Sequence, residues 1–164
     1  MSILTPTRRP HWLHLIWASA DGRAWLPEAH QLRLCHRLQA VCRQRGLYLE
    51  LIGAQADHVH LLLRLHRRGA EATLRGLLAH TCREFVDEVL PPALRRDLHF
   101  TDWRQPLCAD QLGLIRRRIL RQDFLHRRQS LADELAVLGL DAPNGACIVL
   151  GTVLGETSAQ AQGI

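Results

Sequence analysis

An antiparallel α+β fold with a sheet of split β-α-β type is what these 164 residues predict. Three observations carry that expectation. Short apolar runs suited to strands alternate with longer stretches whose apolar residues recur every three or four positions, as on a helix face. Two of the strand runs are joined by only a short turn near Ala56 and Asp57, a link that antiparallel neighbours can make and parallel ones cannot. The runs follow the order strand, helix, strand, strand, helix, strand, helix.

The first strand covers residues 11–18, His-Trp-Leu-His-Leu-Ile-Trp-Ala, short and rich in aromatic side chains. Asp21 and Gly22 make a turn, and Pro27 opens a helix over about 28–45 with Leu32, Cys35, Leu38 and Cys42 as its apolar stripe. Gly46 stands where that helix should be capped. Residues 47–55 and 58–65 form the paired strands. The second helix, over 70–90, carries Leu74, Leu77, Leu78, Phe85, Val86 and Val89, and Pro91 and Pro92 stop it. A strand over 100–108 contains Pro106, which has no N–H for a sheet partner and so marks an edge. A third helix over 110–138 shows Leu112, Ile115, Ile119, Leu131, Leu135 and Leu138. The sum is a ferredoxin-like antiparallel sheet with one extra C-terminal helix, a single domain over 1–140. Residues 141–164, rich in Ala, Gly and Gln, read as a tail whose apolar patch at 147–150 could add a short strand.

Composition narrows the class. With 47% hydrophobic and 23% charged residues the chain is ordinary for a globular protein, and no apolar run reaches membrane-helix length. Residues 1–10 carry Arg8 and Arg9 with no long apolar segment behind them, so no signal peptide is expected and the cytoplasm is the expected location. Cys35, Cys42, Cys82, Cys108 and Cys147 are scattered and odd in number, which argues for buried thiols over a zinc knuckle or a disulfide framework. The net charge is +5 and every one of the 21 basic residues is arginine, the better fork for phosphate oxygens. His11, Trp12, His14 and Trp17 on the first strand are explained by core packing and edge solvation.

The chemistry-bearing motif is Asp57-His58-Val59-His60-Leu61-Leu62-Leu63. Alternate side chains of a strand share a face, so His58 and His60 project together while Val59 and Leu61 enter the core. Two adjacent imidazoles are half of a divalent-metal site. On its own the pattern is weak, since an H-x-H on a strand is more often incidental. The densest charge lies further on, where Arg116, Arg117, Arg118, Arg121, Arg127 and Arg128 stand against Asp123 alone, and Arg64, Arg67 and Arg68 end the histidine strand. Such a run suits phosphate binding as well as plain solvation.

The segment from Gly46 to Leu63 resembles the histidine-hydrophobe-histidine (HUH) strand pair of the small single-tyrosine insertion-sequence transposases and their REP-associated relatives. That family shows a second landmark, a late helix reading Tyr-Ile-x-Asn-Gln-x-x-His-His and then Phe-x-x-Glu. Ile119, Gln122, His126 and Glu134 match it, whereas Arg118, Arg121 and Leu125 depart and Leu131 stands for the phenylalanine. Trp103 is similar to a tryptophan of the family's fourth strand. The resemblance covers about residues 10–138 and implies the HUH transposase fold, with cleavage and rejoining of single-stranded DNA by way of a phosphotyrosine. It implies Mg²⁺ or Mn²⁺ on His58, His60 and Gln122, and a homodimer that recognises imperfect DNA hairpins. It also puts the nucleophile at residue 118, which is Arg118. A guanidinium stays protonated and is no nucleophile, and the chain's one tyrosine, Tyr48, lies ten residues before His58. Strand cleavage by tyrosine is therefore expected to be lost, with no catalytic residue assigned and DNA binding kept. Two other readings stay open: an active metal-dependent nuclease or transposase with a different nucleophile, and a non-enzymatic decayed element or interaction module.

Overall fold

The computed structural model describes residues 11–66, 70–140 and the backbone of 148–149. Chain order gives β1 (His11–Ser19), α1 (Glu28–Gln44), β2 (Tyr48–Ala54), β3 (His58–Leu65), α2 (Ala70–Val89), α3 (Pro92–Arg95) and β4 (His99–Leu107). Then follow α4 (Ala109–Leu120), α5 (Gln122–Leu125), α6 (Leu131–Leu138) and β5 (Ile148–Val149). The sheet order is β2-β3-β1-β4-β5 with antiparallel pairing throughout, and its first four strands have the ferredoxin-like arrangement that the run order predicts. β5 touches only His99 and Phe100, so Pro106 faces no outer strand among the described residues. No helix among them is long and apolar enough to cross a membrane.

Alternation on β1 and β3 builds two layers. Leu13, Leu15 and Trp17 with Val59, Leu61, Leu63 and Leu65 meet α1 and α2 in the principal core, where Leu34, Leu38, Leu74, Leu78, Phe85 and Val86 are also buried. Trp17, Trp25 and Phe100 interlock there, the first stacked on Phe100 at 4.0 Å between ring centroids. α1 buries Leu34, Leu38 and Cys42, while Leu32 is 67% exposed, a correction to the expected stripe. Two positions turn a helix by about 200°, so Leu32 and Leu34 cannot both face the sheet. Gly46 closes α1 with φ +67°, as its place in the sequence predicts. Cys42 and Cys82 are buried as expected, but Cys108 is exposed at the N-cap of α4.

The opposite face carries α4, α5 and α6, and here the expected single helix over 110–138 is corrected: it is broken twice. Leu112, Ile115 and Ile119 pack on Leu62 and Leu107, whereas Leu131 and Leu135 pack on Ile16, Ala18 and Trp103. A straight helix of 29 residues would run roughly 44 Å, past the end of a nine-residue strand of about 30 Å. Breaking at Arg121 and again over 126–130 lets both apolar stretches lie on one sheet. Ser130 restarts the helix with a reciprocal cap, its hydroxyl accepting from the Asp133 N–H at 3.2 Å while the Asp133 carboxylate accepts from the Ser130 N–H at 3.0 Å.

Candidate metal centre

His58 and His60 emerge on the α4–α6 face, each with no exposed surface. β1 adds a third imidazole to them. Ile16 pairs with His60 and His14 with Leu62, which puts His14 on the same face, 1% exposed and with its ring stacked 5.2 Å from that of His60. His14, which the sequence explained as core packing, therefore belongs to the cluster. The pairing register that brings it there spans 46 positions of sequence and leaves no local signal.

Hydrogen bonds fix which nitrogen each ring offers. The His14 Nδ1–H donates to Gln105 Oε1 at 3.2 Å. Burial pushes His14 down to about 4 and His60 down to about 3, so each is neutral at pH 7 and carries one ring proton. His14 Nε2 is then bare and accepts from the His60 Nδ1–H at 2.9 Å. In that tautomer His60 turns a bare Nε2 inward, 3.5 Å from Glu134 Oε2. His58 is set in the same way by its neighbour, its Nδ1–H donating to Asp57 Oδ1 at 2.6 Å. A carboxylate or relay partner behind an imidazole is the usual support of a metal-binding histidine.

The broken helices deliver the remaining groups. In one continuous helix Gln122 and Glu134 would be about 18 Å apart; here the Gln122 amide donates to Glu134 Oε1 at 3.0 Å. His126 Nε2 donates to the other carboxylate oxygen at 3.1 Å. Arg118 Nε approaches Glu134 Oε1 at 3.5 Å, and His60 Nε2 lies 3.5 Å from Oε2. Glu134 is 1% exposed. Burial drives its carboxyl up, but the contacts with His126, His60 and Gln122 outweigh this and hold it well below the usual carboxylate range. Gly53 makes room: a Cβ there would stand 3.2 Å from Ile119 Cγ2 and 3.7 Å from Gln122 Cγ.

The donor set fits a divalent cation. His58, His60, His126 and Glu134 each bring a ligating atom, all within 4.8 Å of one another. Among the described residues, His58 Nε2, His60 Nε2 and Gln122 Oε1 are buried and have no hydrogen-bond partner. Buried acceptors are rarely left so, and three converging lone pairs beside a carboxylate are what a hard or borderline cation satisfies. The three atoms belong to the residues that the sequence resemblance nominated. It missed His126 and Glu134 as possible ligands, although both stood in the matching motif.

The arginines separate. Arg118 points into the cluster with 15% of its side chain exposed, while Arg117, Arg121, Arg127 and Arg128 are exposed. Arg116 is held by both carboxylate oxygens of Glu50, and Arg64 lies over the rings of Tyr48 at 4.5 Å and Trp12 at 5.9 Å. Arg67 and Arg68 lie outside the described residues. Tyr48 pairs with Arg64, four positions along β3 from His60, or about 13 Å of strand. An open cleft of about 920 Å³ adjoins the cluster, with Asp57 and His126 in its wall beside Trp25, Gln55 and Gln129.

Comparisons with known proteins agree with this geometry. A crystal structure from Deinococcus radiodurans R1, of a protein assigned as a transposase, matches with a TM-score of 0.53 and 19% identity over 74% of this chain and 98% of that one. That likeness establishes the shared fold. No curated protein matches the chain. The family described as "Transposase IS200 like" matches residues 8–105, which include β1 through most of β4 and the histidine pair. The chain belongs to the IS200-like transposase family.

Proposed function

We propose that the protein binds single-stranded DNA, hairpins among it, through a divalent-metal centre whose tyrosine chemistry has been lost. The observation that carries this is the pairing of three orphaned buried acceptors, on His58, His60 and Gln122, with an arginine at the position where the family resemblance puts the nucleophile. Mg²⁺ or Mn²⁺ is the proposed cation, held by those three residues with Glu134 close by. When bound, it polarises a phosphate oxygen and offsets charge there. Asp57 and the His14–Gln105 pair keep the imidazole lone pairs aimed at it. Arg117, Arg121, Arg127 and Arg128 supply exposed charge for the DNA backbone. A homodimer acting in the cytoplasm, with residues 141–164 as an appended tail, completes the reading.

The test restores the missing group. Selection from random single-stranded oligonucleotides at about 0.15 M salt, where non-specific contacts are screened, should enrich a hairpin family. With that substrate and Mn²⁺, Arg118→Tyr should form a covalent protein–DNA adduct: the phenolic oxygen bonds to phosphorus while a deoxyribose oxygen leaves and takes a proton. The wild type should form none. Metal-dependent cutting by the wild type that His58→Ala abolishes would replace this reading with an active nuclease. Failure to enrich any oligonucleotide would leave a transposase fold without DNA recognition.

A further inference from the structure

The cluster holds orphans of two opposite kinds. Among the described residues, His58 Nε2, His60 Nε2 and Gln122 Oε1 are buried acceptors without a donor, and Arg118 Nη2 is a buried donor without an acceptor, its Nε having only the 3.5 Å approach to Glu134 Oε1. They are neighbours, because Gln122 and Arg118 both meet the same oxygen of Glu134, at 3.0 and 3.5 Å. A cation alone satisfies the first set and leaves Arg118 Nη2 without an acceptor, with Glu134 as the guanidinium's carboxylate neighbour beside a second positive charge. A phosphate oxygen alone satisfies the second and leaves the imidazoles unpaired. Both sets are satisfied together by a cation and a phosphate side by side.

We propose that the centre binds a divalent cation and a DNA phosphodiester as a pair, with Arg118 as the phosphate's donor. Arg118 then holds a backbone phosphate where the family resemblance puts an attacking hydroxyl, so the site grips a strand without cutting it. The Glu134 carboxylate fixes the guanidinium from one side. Arg118 has 15% of its side chain exposed while Nε and Nη2 are themselves buried, so the guanidinium lies just beneath the surface at the rim of the cluster. With Nε turned to Glu134, Nη2 is the guanidinium donor left for a phosphate oxygen. This rests on the metal reading of the proposed function for the cation and on Arg118 alone for the phosphate.

The consequence is linkage: cation and strand each tighten the other's binding. Anisotropy of a labelled oligothymidylate of about ten nucleotides, with Mn²⁺ or with EDTA, measures it. The wild type should bind the oligonucleotide about tenfold more tightly with Mn²⁺, a coupling of about 1.4 kcal/mol. Arg118→Met should lose that gain while its titration with Mn²⁺ alone holds or tightens, since a positive charge beside Glu134 is gone. Arg118→Lys, which keeps the charge and loses the fork, should keep part of the gain. Arg117→Met, on the exposed side of the same helix, should weaken binding equally with and without metal. Thermal midpoints confirm that each variant folds, and Arg118→Lys carries the comparison if Arg118→Met does not fold. An Mn²⁺-dependent gain that survives in Arg118→Met overturns the proposal, and so does loss of Mn²⁺ binding itself in that folded variant. If the wild type takes up no Mn²⁺, the metal reading fails by itself. The phosphate role is then decided in EDTA, where a tenfold loss in Arg118→Met upholds it and unchanged affinity overturns it.

Discussion

The two faces of one sheet contrast within single strands. On β3, Val59, Leu61, Leu63 and Leu65 enter a core closed by α1 and α2, while His58 and His60, one position away, enter a polar cluster closed by α4–α6. Both sets are buried to the same degree. They differ in what satisfies them: the first set needs close packing, and the second needs partners that the chain supplies only in part. A period of two therefore lets eight residues serve stability and chemistry with almost no overlap. The apolar face tolerates no missing volume, and the polar face is left incomplete in a way that a ligand can complete.

The widest separation between the faces should come from Leu61→Ala, which removes a fully buried side chain from the principal core. It should cost about 2–5 kcal/mol in denaturant unfolding, while Mn²⁺ titration of the folded fraction stays unchanged. Weakened metal binding in that fraction would show that the two faces are not independent.

Gln105→Leu should do the reverse. Without its acceptor, His14 is free to adopt either tautomer, and His60 no longer holds a bare Nε2 toward the cluster. Mn²⁺ affinity should fall about 10- to 100-fold with little change in unfolding free energy. Nitrogen-15 shifts of the His60 ring report the tautomer directly, and an unchanged Nδ1-protonated form would remove the relay.

Acid should expose the smallest difference. His14 and His60 are depressed by burial to about 4 and about 3, so between pH 6.5 and 4 the unfolded chain binds protons that the native protein does not. Stability therefore falls as pH is lowered through that window and is regained as pH rises. Asp57 and Glu134, both held below their usual range, extend the loss toward lower pH. The thermal midpoint followed from pH 7 to 4 should show a slope that His14→Phe reduces and Leu61→Ala leaves in place.

Much of this was legible from local pattern. The strand boundaries at His58 and Leu65, the cap at Gly46 and the ladder order follow from periodicity and from residues with few conformational choices, whereas the strand of Pro106 is not the outermost one, since β5 pairs with its first two residues. His58 and His60 had to share a face because a strand alternates, and Gln122 came from the family resemblance. The helix breaks were less visible. Residues 109–138 contain neither proline nor an interior glycine beyond Gly113, and the Ser130–Asp133 cap was the one local sign of a restart.

The sequence by itself determined the fold class, the pair of imidazoles on one face and the absence of a tyrosine at position 118, because each follows from neighbours in the chain or from identity alone. Tertiary structure decided that His14 stands behind His60, that Glu134 is the shared partner of Gln122, His126 and Arg118, and that Arg118 points inward while Arg117 faces solvent. Those facts depend on strand register and on where a helix breaks, which are set by the burial of distant apolar residues against one sheet and leave no mark at the residues they bring together.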